Sequence, residues 1–147
     1  EFLKEMSDMY RYILKSTEKE VVPLTEEIQF AENYIHLLKK RFGKNFNYTI
    51  NVADFDYMLP PMSLHLLLEN IVKHNRIDNE HPLNFSITQV EDYLIVENLI
   101  NLKNNVDSTK KGLVILSEQY KFLTNKVVSI SQVNNLFLVK LPLLKLK

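Results

Sequence analysis

The segment Leu64-His65-Leu66-Leu67-Leu68-Glu69-Asn70-Ile71-Val72-Lys73-His74 constrains this chain more than any other. Its apolar residues Leu64, Leu67, Leu68, Ile71 and Val72 recur at i, i+3, i+4, i+7 and i+8, the spacing of an amphipathic helix with one side in a core. At about 100° per residue, Glu69, Asn70, Lys73 and His74 fall within roughly a 140° arc opposite that stripe. The chain must therefore cover an aliphatic stripe while presenting a carboxylate, an amide, an ammonium and an imidazole on the other side. An amide oxygen is a hard ligand that suits Mg²⁺, and an ammonium neutralises phosphate as a compact point charge. A solvated face with a Glu69–Lys73 i,i+4 pair accounts for the same residues, and spacing alone favours it because short motifs recur by chance.

Helices and hairpin-linked strands alternate around this segment. Residues 2–17 read as an amphipathic helix with Phe2, Met6, Met9 and Ile13 on one side and Tyr10 beside them. So short a stripe is not buried by its own segment and calls for a second helix or chain. Val21-Val22-Pro23-Leu24 ends it, since proline disfavours helix at the preceding residue. Thr25 then serves as an N-cap, with Glu26 and Glu27 in a first turn where carboxylates suit the dipole. Ile28, Ala31, Ile35, Leu38 and Phe42 form the next stripe, Lys39, Lys40 and Arg41 crowd its last turn, and Gly43 offers a left-handed cap. Phe46, Tyr48, Ile50 and Val52 alternate as a half-buried strand. Pro60-Pro61 starts the key helix. Residues 83–90 and 93–98 read as strands around Glu91-Asp92, and 113–123 as a helix. Residues 127–131 and 136–141 make a hairpin across Asn134-Asn135. The asparagine-rich stretch 98–109 is a loop longer than most connections. These elements predict a two-layer α/β sandwich, one mixed and largely antiparallel sheet with helices on one face, preceded by an N-terminal helix.

With 147 residues, 46% of them hydrophobic, the chain suits one globular domain plus a helical extension. Eighteen basic residues balance eighteen acidic ones without any basic block, which argues against a nucleic-acid partner. No apolar run is long enough to span a membrane, and no signal-peptide pattern is present. Without cysteine there is neither a disulfide nor a thiolate metal site. The chain opens at Glu1, which suggests a piece of a longer protein, so a membrane-spanning sensor is expected only outside it.

Pro60-Pro61-Met62 followed by Leu66-Leu67-Leu68-Glu69-Asn70-Ile71-Val72-Lys73-His74 resembles the asparagine box of LytS-type sensor histidine kinases, written as two prolines, an apolar helix, then Glu-Asn-Ala-x-Lys-His. Met6-Ser7-Asp8-Met9-Tyr10-Arg11-Tyr12 resembles the end of that family's dimerisation helix. Leu24-Thr25-Glu26-Glu27-Ile28 with Tyr34-Ile35 and Lys40-Arg41-Phe42-Gly43 resembles its linker helix, and Leu138-Val139-Lys140-Leu141-Pro142-Leu143 its last strand. The resemblance covers nearly the whole chain. It implies the GHKL, or histidine kinase-like ATPase, fold over 23–147, with 1–22 as the end of a dimerisation or linker helix.

The implied cofactors are ATP and Mg²⁺. The resemblance assigns Asn70 to the nucleotide-bridged Mg²⁺, Lys73 and His74 to phosphate, and Glu69 either to orienting a catalytic group or to pairing with Lys73. Aligning Val96-Glu97-Asn98-Leu99 with the family's adenine box, Asp-x-Gly, puts Glu97 at the adenine-reading aspartate and Leu99 at the glycine. Glutamate is one methylene too long there, and leucine brings a side chain where backbone should approach the base. Aligning Ser108-Thr109-Lys110-Lys111-Gly112-Leu113 with the lid's Gly-x-Gly-Leu puts Lys110 at the first glycine and leaves Gly112 as the survivor. Such glycines expose the amides of a helix N-terminus to phosphate. Lys110 and Lys111 attract phosphate or simply close a loop as an exposed pair. None of His36, His65 and His81 has the family's phosphoacceptor context.

Two readings follow: an ATP-binding kinase domain with loop 98–112 as its lid, or the same fold with a decayed nucleotide site, kept as a dimerising signalling module. The altered adenine box and lost glycine favour weak or absent ATP binding. The resemblance also implies a homodimer through the N-terminal helix, a LytTR-type response regulator as partner, and a cytoplasmic location within an inner-membrane sensor.

Overall fold

A computed structural model describes residues 2–16, 18–101 and 111–145. Helix α1 (Phe2–Ser16) leads into a two-residue strand, β1 (Val22–Pro23), and the long helix α2 (Leu24–Phe42). A 3₁₀ turn (Gly43–Asn45) precedes β2 (Phe46–Asn51) and the short β3 (Met58–Leu59). Then follow α3 (Ser63–His74), β4 (Leu83–Val90), β5 (Tyr93–Leu99), α4 (Lys111–Leu123), β6 (Ser129–Val133) and β7 (Leu136–Pro142). Five strands form one sheet in the order β2-β4-β5-β7-β6, with β2 parallel to β4 and the other pairs antiparallel.

Alternation along the strands decides which face is covered. Leu83, Phe85 and Ile87 of β4 are buried, as are Leu94, Val96 and Asn98 of β5 and Val139 and Leu141 of β7. Residues two apart on a strand share a face, and this one meets α2, α3 and α4 in a single core. The architecture is the predicted two-layer α/β sandwich with an N-terminal helix. On α2, Ile28, Ala31, Ile35 and Leu38 are buried, Phe42 packs at the edge of the core, and Lys39 and Arg41 are exposed. Each such isoleucine or leucine contributes roughly 1.5–3 kcal/mol on burial.

Several local expectations shift. Pro23, not Thr25, occupies the N-cap of α2, because Val22–Pro23 pairs with Met58–Leu59 and holds the chain extended up to that point. Gly43 takes the expected positive φ, 59°, but with ψ −134° it lies outside the left-handed helical region. The prolines do not start the key helix. They precede it, Met62 adopts a left-handed conformation (φ 68°), and α3 begins at Ser63. Both hairpin turns fall where expected, with Glu91 and Asn134 at φ 56°. On α1, Tyr12 rather than Tyr10 turns toward α2. Its ring lies 4.9 Å from that of Phe30, Met9 is buried, and Tyr10 is exposed. The side chain of Phe2 lies outside the described part.

Candidate functional site

The asparagine helix is seated by a residue from another element. Its N-cap, Met62, has no side-chain acceptor, and the first amides of any helix need partners. Glu27 of α2, wholly buried, accepts from Met62 N (3.2 Å) and Leu64 N (3.1 Å) and also from the Tyr12 hydroxyl. Ser63 Oγ closes the preceding turn by donating to Pro60 O at 2.6 Å. Burial pushes the Glu27 carboxyl up from 4.5, while these three donors and the helix N-terminus pull it down. Burial and the negative Glu27 both push the Tyr12 hydroxyl up, so it stays protonated and donates. The sequence reading placed Glu27 in the first turn of α2 but missed this contact.

Along α3 the four polar residues diverge. Glu69 does not pair with Lys73; its Oε2 lies 3.1 Å from Nε2 of His65, one turn back. His65 packs against Phe30 and Tyr34 of α2, and burial pushes its imidazole down against the pull of Glu69. Glu69 thus belongs to the α2 side of the helix. Lys73 is exposed and His74 half-buried. Asn70 points the other way, toward the sheet, where it lines a gap with Leu67, Ile71, Val96, Asn98, Phe137 and Val139. That gap has no room even for a water molecule.

The opposite wall is not the residue expected. Glu97 alternates with the buried Val96 and Asn98 and so lies on the outer face of the sheet, where Ser86 Oγ approaches its carboxylate at 3.4 Å. Asn98, 3% exposed, is the polar group that faces Asn70 across the gap. Leu99 sits opposite Leu136 on the outer side and is 40% exposed. Strand parity, visible in the buried Leu94-x-Val96-x-Asn98 pattern, was the sequence signal for Asn98.

The end of α3 is tied to the end of β5. Asn75, 4% exposed, donates from Nδ2 to Ile71 O (2.9 Å) and accepts at Oδ1 from Asn101 N (2.8 Å). Arg76 N bonds Asn101 O at 2.6 Å, and Ile100 N bonds Asn135 O at 2.8 Å. Asn75→Ala orphans a carbonyl and an amide at a buried site, so it should destabilise the fold by about 1–3 kcal/mol and accelerate hydrogen exchange at Asn101. Urea unfolding and exchange mass spectrometry check both, and an Asn101 amide still protected in the variant would contradict the clamp.

Gly112 lies in the first turn of α4. A Cβ there would stand 4.0 Å from Leu66 Cδ2 and from Leu66 O, ordinary contact, so packing does not demand glycine. Lys110 and most of loop 98–112 lie outside the described residues, as does the side chain of Lys111. Among the described residues no group of three His, Cys, Asp or Glu side chains is placed to hold a metal. No described helix is long and apolar enough to cross a membrane. The amide of Asn70 suits Mg²⁺ chemically, but among the described residues the gap beside it leaves no room for a nucleotide base.

Comparison with known proteins agrees with this architecture. Residues 1–46 match the sequence model of the histidine kinase family. The sensor histidine kinase/phosphatase LytS of Staphylococcus aureus is 25% identical over 120 residues, which is 80% of this chain and 20% of LytS. The chain thus spans about a fifth of the length of the curated relatives it matches. The cytoplasmic segment of histidine kinase QseC superposes with a TM-score of 0.60 at 17% identity, covering 85% of this chain and 77% of that one. The nucleotide-free catalytic domain of histidine kinase ThkA gives 0.57 at 14% identity, covering 83% and 94%. The fold is that of histidine kinase catalytic domains. Within that class the chain's sequence similarity is to LytS-type sensor histidine kinases.

Proposed function

We propose that this chain is the ATPase-type region of a two-component sensor histidine kinase in which Mg²⁺–ATP binding is weak or lost, so that it serves as a dimerising signalling module. The observation that carries this reading is the gap between Asn70 and Asn98, which among the described residues is closed by Leu67, Ile71 and Phe137. The placement of Glu97 on the far face of the sheet supports it further, because among the described residues no carboxylate lines the gap. With Asn98 in the adenine-reading position, the box shifts by one residue and Ile100, not Leu99, stands where the family has glycine. Residues 23–147 form the ATPase-like unit in this reading, and 1–22 the end of the dimerisation helix. The test is a calorimetric titration of the chain with Mg²⁺–ATP, with Asn70→Ala as the site control.

Dimerisation is assigned to α1, but through a different stripe from the one the periodicity suggested. Met9 is buried within its own chain, whereas Leu3 and Tyr10, a heptad apart, are 80% and 60% exposed. Tyr10→Glu should convert a dimer to a monomer in sedimentation velocity, while Met9→Ala, at a side chain buried within its own chain, should leave the dimer in place. A Tyr10→Glu variant that remains dimeric would place the seam elsewhere. The regulator partner, of LytTR type, and a place in the cytoplasmic part of a membrane-bound sensor rest on the similarity to LytS.

A further inference from the structure

We infer that Glu27 is a positioning residue through which docking of α1 sets the order of the first turn of α3. Helix α3 carries no side-chain cap of its own, and Glu27 supplies one from α2. The oxygen that accepts Met62 N, Oε2, also accepts the Tyr12 hydroxyl, while Oε1 accepts Leu64 N. One buried atom therefore joins α1 to the start of α3.

If α1 lifts away, the carboxylate stays buried with one donor fewer, and a buried charge short of a hydrogen bond is costly. The structure relieves that cost by letting water reach Glu27, which loosens the amides it caps. A parallel line of contacts leads deeper into the helix. Tyr12 packs on Phe30, the Phe30 ring lies 5.5 Å from that of His65, and His65 holds Glu69, the residue before Asn70. At the other end of α1, Glu5 Oε1 takes Lys40 Nζ at 2.9 Å with His36 Nε2 at 3.6 Å, so α1 is held at both ends against α2. Coupling of this kind is reciprocal: whatever orders the start of α3 also holds α1 down. Only the significance of α3 as a nucleotide helix rests on the function proposed above; the contact between α1 and α3 does not.

Hydrogen exchange of the ligand-free chain tests the coupling without any nucleotide. Tyr12→Phe removes the hydroxyl and keeps the ring on Phe30. It should speed exchange of the Met62 and Leu64 amides at least about fivefold while amides of β4 and β5 keep their wild-type rates. Met9→Ala, which loosens α1 without touching Glu27, should produce the same local rise. The inference is overturned if either variant speeds exchange within α1 and leaves Met62 and Leu64 unchanged. It is equally overturned if the rise is shared by β4 and β5, since that reports global destabilisation. A failure of Mg²⁺–ATP binding leaves this result unaffected, so the two readings fail separately.

Discussion

Glu27→Ala is expected to destabilise the chain by about 3–5 kcal/mol, because it leaves two helix amides and a phenol without their acceptor in a buried site. The loss is large since all three donors converge on one side chain that is wholly buried. Glu27→Gln should cost less, because one oxygen still accepts while the amide group faces the other donors. The two variants also separate the capping role from the charge. Burial raises the folded carboxyl above its ordinary 4.5, so its contribution to stability is fully present below pH 4.5 and falls as pH rises through the folded value. The groups facing it, Tyr12, Tyr120 and Glu26, carry no positive charge to offset this. The stability advantage of the parent chain over Glu27→Gln should therefore narrow as pH rises from about 4.5 toward neutrality. Urea titrations of both proteins across that range measure the gap. A Glu27→Ala effect below about 1 kcal/mol, or a gap that widens with pH, would contradict the assignment.

The second large effect concerns the adenine box. Combining Asn98→Asp, Ile100→Gly and Lys110→Gly should raise Mg²⁺–ATP affinity by about ten- to hundredfold for each base hydrogen bond restored. The corresponding set built on Glu97→Asp and Leu99→Gly should not, because Glu97 and Leu99 lie on the outer face of β5. Asn70→Ala in the improved background should abolish the gain. Equal gains from both sets, measured by calorimetry, would mean that strand parity does not decide which residue reads the base.

Much of the fold was legible from local pattern. The α2 stripe from Ile28 to Phe42, the Glu91-Asp92 turn and the Asn134-Asn135 turn are all short-range signals, and each appears where the periodicity put it. The two-residue strands β1 and β3 were not legible, because a pair such as Val22–Pro23 with Met58–Leu59 has no period of its own and exists only through a partner some 36 residues away. The same holds for the site. The apolar side of α3 followed from spacing, but the partners of its polar side did not. Glu69 reaches back to His65 because the aromatic rings of Phe30 and Tyr34 hold that imidazole beside it. Motif alignment chose Glu97 by chemical likeness to aspartate; the alternation along β5 points to its neighbour, Asn98. Glu27 and Asn75 act on amides far along the chain or beyond a helix end, where only tertiary placement identifies the partner.

Isothermal calorimetry of the unmodified chain with Mg²⁺–ATP addresses the central claim most directly. Among the described residues the gap between Asn70 and Asn98 is closed and no carboxylate lines it, so the titration should show no saturable heat, corresponding to a Kd weaker than about 1 mM. Micromolar binding in the unmodified chain, abolished by Asn70→Ala, would contradict the weakened-site reading and establish a working nucleotide site on the asparagine helix.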